Sequence, residues 1–332
     1  MSTMKAVIHT RYGHQKYLKL EEVDRPIPKK DELLVRIYAS TVTPSDVQLR
    51  TGKFPLLFWL PVRLLFGLFR PRRKILGYEM SGIIIETGEA VSKFEIGQEI
   101  IAATYRKMST HSEYICINEN SAIILKPNTL NIHEAAALPD GSQTALHFLK
   151  IGGIEDQDVS KNILVYGASG SVGSYAIQIA KAFGAQVTAV CRRSNFEVVK
   201  SLGADEVIDY RNEDYGTRLA TYDIVFDTVG KSSFKQAKPA LKENGVFLTT
   251  KAKLSEYLKY KVSFHKVKQF KTSISVGNSE KLRIISKLVE EGKVKPFIDR
   301  TYYLHDIGQA HEYVETGRKR GNVVIIIHDL EE

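Results

Sequence analysis

The sequence predicts an α/β protein that combines a β-rich domain with a doubly wound parallel sheet. Its 332 residues are the length of about two ordinary domains. Short β-branched runs between Gly and Pro turns dominate the first part of the chain, whereas strands alternate with helical patterns in the middle part. A glycine-rich turn lies at the centre, between one of these strands and the helix after it.

Both ends of the chain carry strand-length patterns. From Met4 to about Lys126, the apolar runs at 33–42, 80–87 and 112–117 predict an all-β unit. The last part of the chain predicts a strand at 272–276, helices near 279–291 and 306–316, and a final strand at 322–327.

The middle part, from about Ile132 to Lys271, alternates buried strands with helices. The predicted strands are 163–166, 187–191, 206–208, 224–227 and 246–249. Continuous apolar runs of this length, joined by helices, indicate a parallel sheet with right-handed crossovers.

The chain is strongly basic. It has 47 Lys and Arg against 38 Asp and Glu, which gives a formal net charge of +9. Such a balance fits three kinds of partner: nucleic acid, an anionic membrane surface or a phosphate-bearing ligand.

Two basic stretches each admit two interpretations. Lysines within 251–271 are interleaved with aromatic residues, which fits RNA binding as well as a solvated surface rim. The basic run 70–74 follows an apolar stretch at 54–69, which Pro and Gly interrupt and which is too short to span a bilayer. That stretch fits a lid over a site, with peripheral membrane contact as the alternative.

The cysteines and the N-terminal residues indicate the cellular compartment of the protein. Cys116 and Cys191 lie far apart in the sequence, so they supply neither a disulfide framework nor a four-cysteine zinc lobe. Residues 1–12 lack the apolar core of a signal peptide. We therefore expect a reducing, cytoplasmic location.

The strongest motif is the glycine-rich turn within 162–182, NILVYGASGSVGSYAIQIAKA. In such a turn, Gly170 lets the backbone approach a pyrophosphate, and Gly173 lets the following helix pack closely on the strand. Unpaired N–H groups at the start of that helix favour phosphate. We expect a dinucleotide here, with contacts from Ser169, Gly170, Ser171, Val172 and Gly173.

The end of the next strand indicates which dinucleotide binds. An NAD site usually has a carboxylate there, which holds the ribose 2′-hydroxyl. This chain instead has Arg192, Arg193 and Ser194, with no carboxylate before Glu197. Two guanidinium groups suit a 2′-phosphate. The sequence therefore predicts NADPH rather than NADH, with a solvated surface position as the alternative role of either arginine.

Seven motifs in order resemble the medium-chain dehydrogenase/reductase superfamily, and most of all its zinc-independent quinone oxidoreductase subgroup. They are ASTVTPSD, GYEMSG, ALPDGSQTAL, GASGSVG, SLGADEVIDY, FDTVG and GNVVII. The resemblance implies a GroES-like catalytic domain, residues 1–131 and 272–332, and an inserted Rossmann NADP-binding domain, residues 132–271. It also implies a homodimer.

The resemblance shows where the zinc ligands of related enzymes fall in this chain. Their Cys, His and third ligand correspond to Thr43, Tyr78 and Asp140. Thr and Tyr are poor zinc ligands, and a single carboxylate does not make a zinc site. We therefore expect no zinc.

The polar residues of this region are the candidate catalytic groups. They are Thr43, Ser45, Asp46, Tyr78 and Asp140. Ser45 falls where the family has a relay hydroxyl, and the Tyr78 phenol can donate to a carbonyl oxygen. Capping a turn is the alternative role for Thr43 and Asp46.

The resemblance also implies cofactor contacts outside the glycine-rich turn. They are Thr144, Tyr210, Val229, Thr249 and Val276. Thr144 corresponds to a threonine near the nicotinamide ribose, and Tyr210 to a tyrosine beside the 2′-phosphate. Asn322 stands where relatives often carry Lys, so the resemblance does not decide whether Asn322 contacts the cofactor.

The leading function is NADPH-dependent, zinc-free transfer of hydride to a quinone or an α,β-unsaturated carbonyl. Such acceptors take hydride at carbon, so they need no Lewis acid. The alternatives are a zinc-binding alcohol dehydrogenase-like enzyme and an NADPH-binding protein that interacts with RNA and has little catalytic activity.

Overall fold

The structure, a computed structural model, describes residues 2–54, 59, 63–105, 107–155, 160–252, 268–275 and 277–329. The chain divides into two units. The first unit comprises Met1–Asp140, Gly277–Ser286 and Pro296–Glu332, and the second comprises Gly141–Val276 and Lys287–Lys295. The predicted α/β class is confirmed.

The second unit is built on a parallel sheet of six strands. In spatial order the strands are β10 (Glu206–Asp209), β9 (Gln186–Cys191), β8 (Asn162–Tyr166), β11 (Tyr222–Asp227), β12 (Leu241–Thr249) and β13 (Gln269–Thr272). The helices between or before these strands are Pro139–Ile151, Ser171–Ala182, Phe196–Ser201 and Phe234–Ala240. Numbered within the sheet, this order is 3-2-1-4-5-6, the doubly wound topology of dinucleotide-binding domains.

Burial explains why the middle strands are continuous apolar runs. Ile163, Leu164 and Val165 in β8 are all fully buried, although alternate residues point to opposite faces of a sheet. The sheet is therefore covered on both sides, as parallel sheets are. On one face, Leu164 packs in a core cluster with Val225 and Phe247.

The first unit is mainly antiparallel. Its larger sheet has the order β14 (Ile298–Tyr303), β15 (Asn322–Ile326), β3 (Glu32–Thr41), β4 (Glu79–Thr87), β5 (Glu99–Ala103) and β7 (Ala122–Leu125), with β6 (Tyr114–Asn118) also paired to β3. A separate pair joins β1 (Thr3–His9) to β2 (Leu18–Asp24). Helices that begin in this unit include Pro44–Thr51, Ile132–Ala135, Ser279–Glu290 and Ile307–Glu315.

Three expectations differ from the structure. The opening segment is not all-β, because a capped helix, Pro44–Thr51, follows β3. The strand predicted at 272–276 lies earlier, at Gln269–Thr272, where Phe270 stacks on Phe247. The units also divide after Asp140 rather than after residue 131, since the short helix Ile132–Ala135 packs on β3, β4 and β15.

Within the described residues, no helix combines the length and apolar character that crossing a membrane requires.

Candidate functional site

The glycine-rich turn of the second unit has the close packing that its sequence predicts. Gly167 has a φ of +80°, a left-handed conformation that favours glycine. A Cβ atom on Gly173 would lie 2.3 Å from the Gly167 carbonyl oxygen and 2.8 Å from the Ala168 Cα. Any larger residue at position 173 would therefore force the helix Ser171–Ala182 away from the turn.

Gly170 has a different environment. It is the N-cap of the helix Ser171–Ala182, and no side chain caps that helix start. A Cβ atom on Gly170 would meet only the Gly167 carbonyl oxygen, at 3.4 Å. The start of this helix therefore lacks a side-chain cap and lies beside open space, which is the form of an anion cradle at a helix N-terminus. A pyrophosphate fits this cradle.

The structure places two predicted 2′-phosphate contacts side by side. Arg192 follows β9 and Tyr210 follows β10, and the Arg192 Nε donates to the Tyr210 hydroxyl at 2.9 Å. The same hydrogen bond lowers the pKa of Tyr210 from its ordinary value. Ser169 accepts a hydrogen bond from the Asn195 side chain at 2.9 Å, while Arg193 and Ser194 are exposed.

A loop at the end of β11 completes this edge of the sheet. The buried Asp227 carboxylate accepts from the backbone N–H groups of Val229 at 3.0 Å, Gly230 at 2.9 Å and Ser232 at 2.8 Å. Asp227 thereby fixes Val229, a predicted contact, although the sequence analysis did not single Asp227 out. The FDTVG motif carried the signal, since Asp often accepts from backbone N–H groups in a turn.

Other predicted cofactor residues have mixed positions. Thr249 is the buried last residue of β12, at the same carboxyl edge of the sheet. Thr144 is partly exposed on the helix Pro139–Ile151. Val276 lies outside the described residues. Asn322 is buried in the first unit and donates to the Phe297 carbonyl oxygen, which is a structural contact.

In the first unit, Thr43 and Asp46 form the start of a helix. The Thr43 side chain accepts from the Asp46 backbone N–H, and the Asp46 carboxylate accepts from both the backbone and the hydroxyl of Thr43, at 2.9 and 2.7 Å. The other Asp46 carboxylate oxygen accepts from the Gly77 backbone N–H at 2.9 Å. Thr43 and Asp46 therefore cap the helix, which was the alternative to a catalytic role for these two residues. Ser45, in the same turn, is exposed.

Gly77 allows the chain to pass closely before Tyr78. Its φ is +97°, and a Cβ atom there would lie 2.1 Å from the Thr110 hydroxyl oxygen. Tyr78 follows, partly buried and packed against an apolar cluster that includes Leu76 and Met108. Burial, with the charges of Asp46 and Asp140, raises the pKa of Tyr78. Its phenol therefore stays neutral and remains a hydrogen-bond donor.

Two acidic residues, the buried Glu79 and the partly exposed Asp140, are joined by a hydrogen bond. The Glu79 carboxyl accepts from the Thr41 hydroxyl and from the Asp140 backbone N–H, both at 2.6 Å. Burial and the charge of Asp140 raise the pKa of Glu79, and burial also raises the pKa of Asp140. The pKa of about 8 favours the protonated form of Glu79 near neutral pH, whereas the pKa of Asp140 is raised only to about 6.

Lys319 is electrostatically coupled to these acidic residues, while its Nζ donates to the Gly321 carbonyl oxygen at 2.6 Å. Burial lowers the pKa of Lys319 to about 8, against the opposing charges of Glu79, Asp299 and Asp140. The Tyr105 hydroxyl interacts with the Asp140 carboxyl and lowers its pKa. Neither Glu79 nor Lys319 is among the site residues that the sequence predicts. Glu79 stands in the quoted GYEMSG motif, whereas nothing in the sequence around Lys319 marked it.

The donor set does not fit zinc. Of the positions where related enzymes bind the metal, Thr43 is engaged as a helix cap and Tyr78 is a neutral phenol, which leaves Asp140 alone. In the part of the chain that the structure describes, no group of three or more His, Cys, Asp or Glu side chains is placed to hold a metal ion. We derive no catalytic step through a metal.

Comparisons with known proteins agree with this architecture. Residues 29–141 match the family model of the alcohol dehydrogenase GroES-like domain, and residues 202–325 match a model described as zinc-binding dehydrogenase. The second description names zinc, whereas Thr43 and Tyr78 stand at two of the positions where related enzymes bind that metal.

Individual relatives are similar over almost the whole chain. The 2-methylene-furan-3-one reductase of Solanum lycopersicum is 34% identical, covering 98% of this chain and 79% of the relative. The NADPH-dependent alkenal/one oxidoreductase, chloroplastic, of Arabidopsis thaliana is 30% identical, and the match covers 97% of this chain and 79% of the relative. The solved quinone oxidoreductase from Coxiella burnetii is 30% identical, with a TM-score of 0.86 over 98% of this chain and all of the other.

The resemblance noted in the sequence is thus confirmed by family models, by relatives and by structure. The chain is an NAD(P)H-dependent oxidoreductase of the medium-chain dehydrogenase/reductase superfamily, and it belongs to the quinone oxidoreductase-like group.

Proposed function

We propose that this protein uses NADPH to reduce a quinone or an α,β-unsaturated carbonyl without zinc. The observation that carries the proposal is the position of Tyr78, a neutral phenol that precedes the buried Glu79 and stands where related enzymes bind a metal. The names of relatives, alkenal/one oxidoreductase and quinone oxidoreductase, support this substrate class.

The proposed reaction combines one hydride with one proton. When bound, the nicotinamide supplies the hydride, which forms a new C–H bond and leaves an enolate or phenolate oxygen. The Tyr78 hydroxyl donates a hydrogen bond to that oxygen as its negative charge develops. A proton then neutralises the oxyanion or the enolate carbon, and the total change is two electrons and two protons.

The carboxyl pair is suited to supply that proton. Tyr78 itself is a weak acid, because burial raises its pKa. The raised pKa of Glu79, about 8, keeps a proton on this carboxyl near neutral pH, and the pKa of Asp140 is raised to about 6. In this proposal Tyr78 touches the substrate oxygen, Asp140 and Glu79 store the proton, and Asp46 and Thr43 position the backbone around Gly77.

The preference for NADPH rests on Arg192 and Arg193. We expect the double variant Arg192→Ala, Arg193→Ala to bind NADPH about 10- to 100-fold more weakly, since a hydrogen bond to a charged group contributes about 1.5–3 kcal/mol. The KM for NADH should stay nearly constant, because NADH lacks the 2′-phosphate. Initial rates with each cofactor give the comparison, and Lys200→Ala, an exposed cation of the same unit, is the control. Equal losses for both cofactors would contradict the assignment.

Homodimer formation and a cytoplasmic location remain part of the proposal. Cys116 and Cys191 are both free and buried, which supports a reducing compartment. Sedimentation of the purified protein would test the dimer.

A panel of acceptors tests the proposed function itself. NADPH oxidation is followed with quinones, enones, saturated aldehydes and simple ketones, before and after treatment with a metal chelator. The proposal predicts turnover of quinones or enones that the chelator does not change. Oxidation of simple alcohols that is lost on chelation and restored by Zn²⁺ would instead support the zinc-binding alcohol dehydrogenase alternative.

A further inference from the structure

The positive charge of this chain is concentrated next to the candidate site of the first unit. Between Asp46 and Glu79 the sequence has seven Lys and Arg and no Asp or Glu, although the whole chain has a net charge of only +9. Five of these seven cations lie within residues 63–74, which we name the basic–apolar turn. The second basic stretch, 251–271, lies mostly outside the described residues.

Large apolar side chains of the basic–apolar turn point into solvent. Phe69 is 84% exposed, Leu65 is 67% exposed and Leu64 is 56% exposed. Isolated exposed leucines are common, but three large apolar side chains within six residues form a patch of the kind that marks an interaction site.

The fold holds the basic–apolar turn in place. The Tyr12 hydroxyl donates to the carbonyl oxygens of Phe66 at 3.0 Å and Gly67 at 2.8 Å. The Arg63 guanidinium lies over the Tyr12 ring, 3.7 Å from its centroid. Gly67 has a φ of +114°, and a Cβ atom there would lie 2.0 Å from the Arg70 carbonyl oxygen, so the reversal requires glycine. The exposed side chains are therefore presented by an anchored turn.

The turn has an inner and an outer side. Phe66 packs inward against the apolar cluster of Leu49, Leu76 and Met108, which also contacts Tyr78. This inner side fits the lid over a site that the sequence predicts. The outer side, with Leu64, Leu65 and Phe69, makes no contribution to that cluster.

The cations beside the patch are available for a partner. Arg70, Arg72, Arg73 and Lys74 form no ion pair within the described part of the chain, and Arg70 and Arg72 are exposed. Exposed apolar side chains flanked by several cations are the combination that binds the interface of an anionic bilayer, with the apolar groups entering the headgroup region.

We propose that the basic–apolar turn docks this protein peripherally on an anionic membrane surface. The leucines favour lipid over nucleic acid as the partner, because aliphatic side chains do not stack on bases in the way that aromatic rings do. Since the inner side of the same turn packs beside Tyr78, docking brings an apolar wall of the candidate site close to the bilayer. Binding to the membrane does not depend on the proposed substrate, so the two proposals fail separately.

Vesicle co-sedimentation tests this proposal with the full-length protein. Vesicles of phosphatidylcholine alone are compared with vesicles that also contain phosphatidylglycerol, at low and at high salt. We expect binding to the anionic vesicles at low salt, release at high salt, and little binding to phosphatidylcholine alone. Recovery of the wild-type protein in the supernatant with anionic vesicles would overturn the proposal.

Two variants and two matched controls locate the binding surface. Arg70→Glu with Arg72→Glu should weaken partitioning at least about tenfold, because each cation near an anionic surface contributes about a fivefold factor. Leu64→Ser, Leu65→Ser and Phe69→Ser together should also reduce it. The charge control is Lys19→Glu with Arg283→Glu, and the apolar control is Ile27→Ser with Ile96→Ser, all exposed positions of the first unit.

The controls should bind vesicles as the wild type does, and NADPH oxidation with a soluble acceptor checks that every variant is folded. Three outcomes would contradict docking on lipid. The first is an equal loss of vesicle binding in the variants and in the controls. The second is unchanged vesicle binding by the serine variant together with salt-sensitive binding of the protein to RNA. The third is a changed oligomeric state of the serine variant without any change in its vesicle binding.

Discussion

The substitution Tyr78→Phe should lower kcat for an enone or quinone about 100-fold. Removing one hydrogen-bond donor from a developing oxyanion costs roughly 100- to 1,000-fold in measured enzymes. Phe keeps the packing of the ring against Leu76 and Met108, so the apolar cluster is preserved. NADPH affinity should be nearly unchanged, because the phosphate cradle lies in the second unit.

Steady-state kinetics and fluorescence titration of NADPH separate these two effects. Tyr303→Phe is the matched control, since Tyr303 is 46% exposed and lies on β14 in the same unit. The control should retain the wild-type kcat. A Tyr78→Phe enzyme with unchanged kcat would remove Tyr78 from the reaction, and a loss of NADPH binding alone would assign it to the cofactor instead.

The second large effect concerns acid stability of the first unit. His9, on β1, is buried and has a pKa lowered to about 4, mainly by burial, and the nearby charge of Arg50 acts in the same direction. His111 and His311 lie in the same region, with ring centroids 5.9 Å apart, and burial lowers the pKa of each. Neither ring nitrogen of His9 or His311 has a hydrogen-bond partner in the described part of the chain.

The sign of the effect follows from linkage. The unfolded chain protonates His9 near its ordinary pKa of 6.5, whereas the folded chain protonates it only near 4. The unfolded state therefore binds more protons in this window, and the free energy of unfolding falls as the pH is lowered through it. For His9 alone the loss is on the order of 3 kcal/mol, at about 1.4 kcal/mol for each pKa unit.

The carboxyl pair acts in the opposite direction. Glu79 and Asp140 have raised pKa values, so their contribution to stability is largest at low pH and is lost as the pH rises. The histidine effect must therefore be measured as a difference between variants. Unfolding by urea at pH 7 and at pH 4.5, for the wild type and His9→Phe, gives that difference.

His9→Phe should lose markedly less stability than the wild type between the two pH values. Phe keeps a ring beside Tyr12, which contacts the His9 ring edge-on at 5.5 Å between centroids, and it removes the titrating group. His305→Phe, at an exposed position, is the control and should follow the wild type. Identical pH dependence in all three proteins would show that His9 is not held neutral by the fold.

Local sequence patterns indicate the geometry of the glycine-rich turn in the second unit. The turn needs a left-handed conformation at Gly167 and a close approach at Gly173, and both favour glycine. Tyr210 was expected only from the family resemblance, and its hydrogen bond with Arg192 was not predicted. The two residues lie at one edge of the sheet because parallel strands bring their carboxyl ends together.

The helix Pro44–Thr51 was also readable from the sequence. Thr43 and Asp46 have the spacing of a capping box, with Pro44 in the first helical position. The strand-rich surroundings led to the expectation of an all-β unit. The capping box and Pro44 determine a helix here, although the residues around it form strands.

The proton-holding group was less accessible to sequence reasoning. Glu79, Asp140 and Lys319 come from three distant parts of the chain, and their pKa values depend on burial and on mutual charge. Composition and sequence spacing do not show that residues so far apart in the chain lie close together in the fold. The basic–apolar turn was visible as a pattern, but which side chains face outward is known only from the fold.

Transfer of deuterium from the cofactor tests whether this protein delivers hydride to an enone without zinc. NADPH with both C4 hydrogens of the nicotinamide replaced by deuterium is mixed with an enone and the chelator-treated enzyme, and the product is examined by NMR. We expect deuterium on the β-carbon of the saturated product, at the same rate with and without chelator treatment. Product without deuterium at that carbon, or turnover that requires added Zn²⁺, would contradict it.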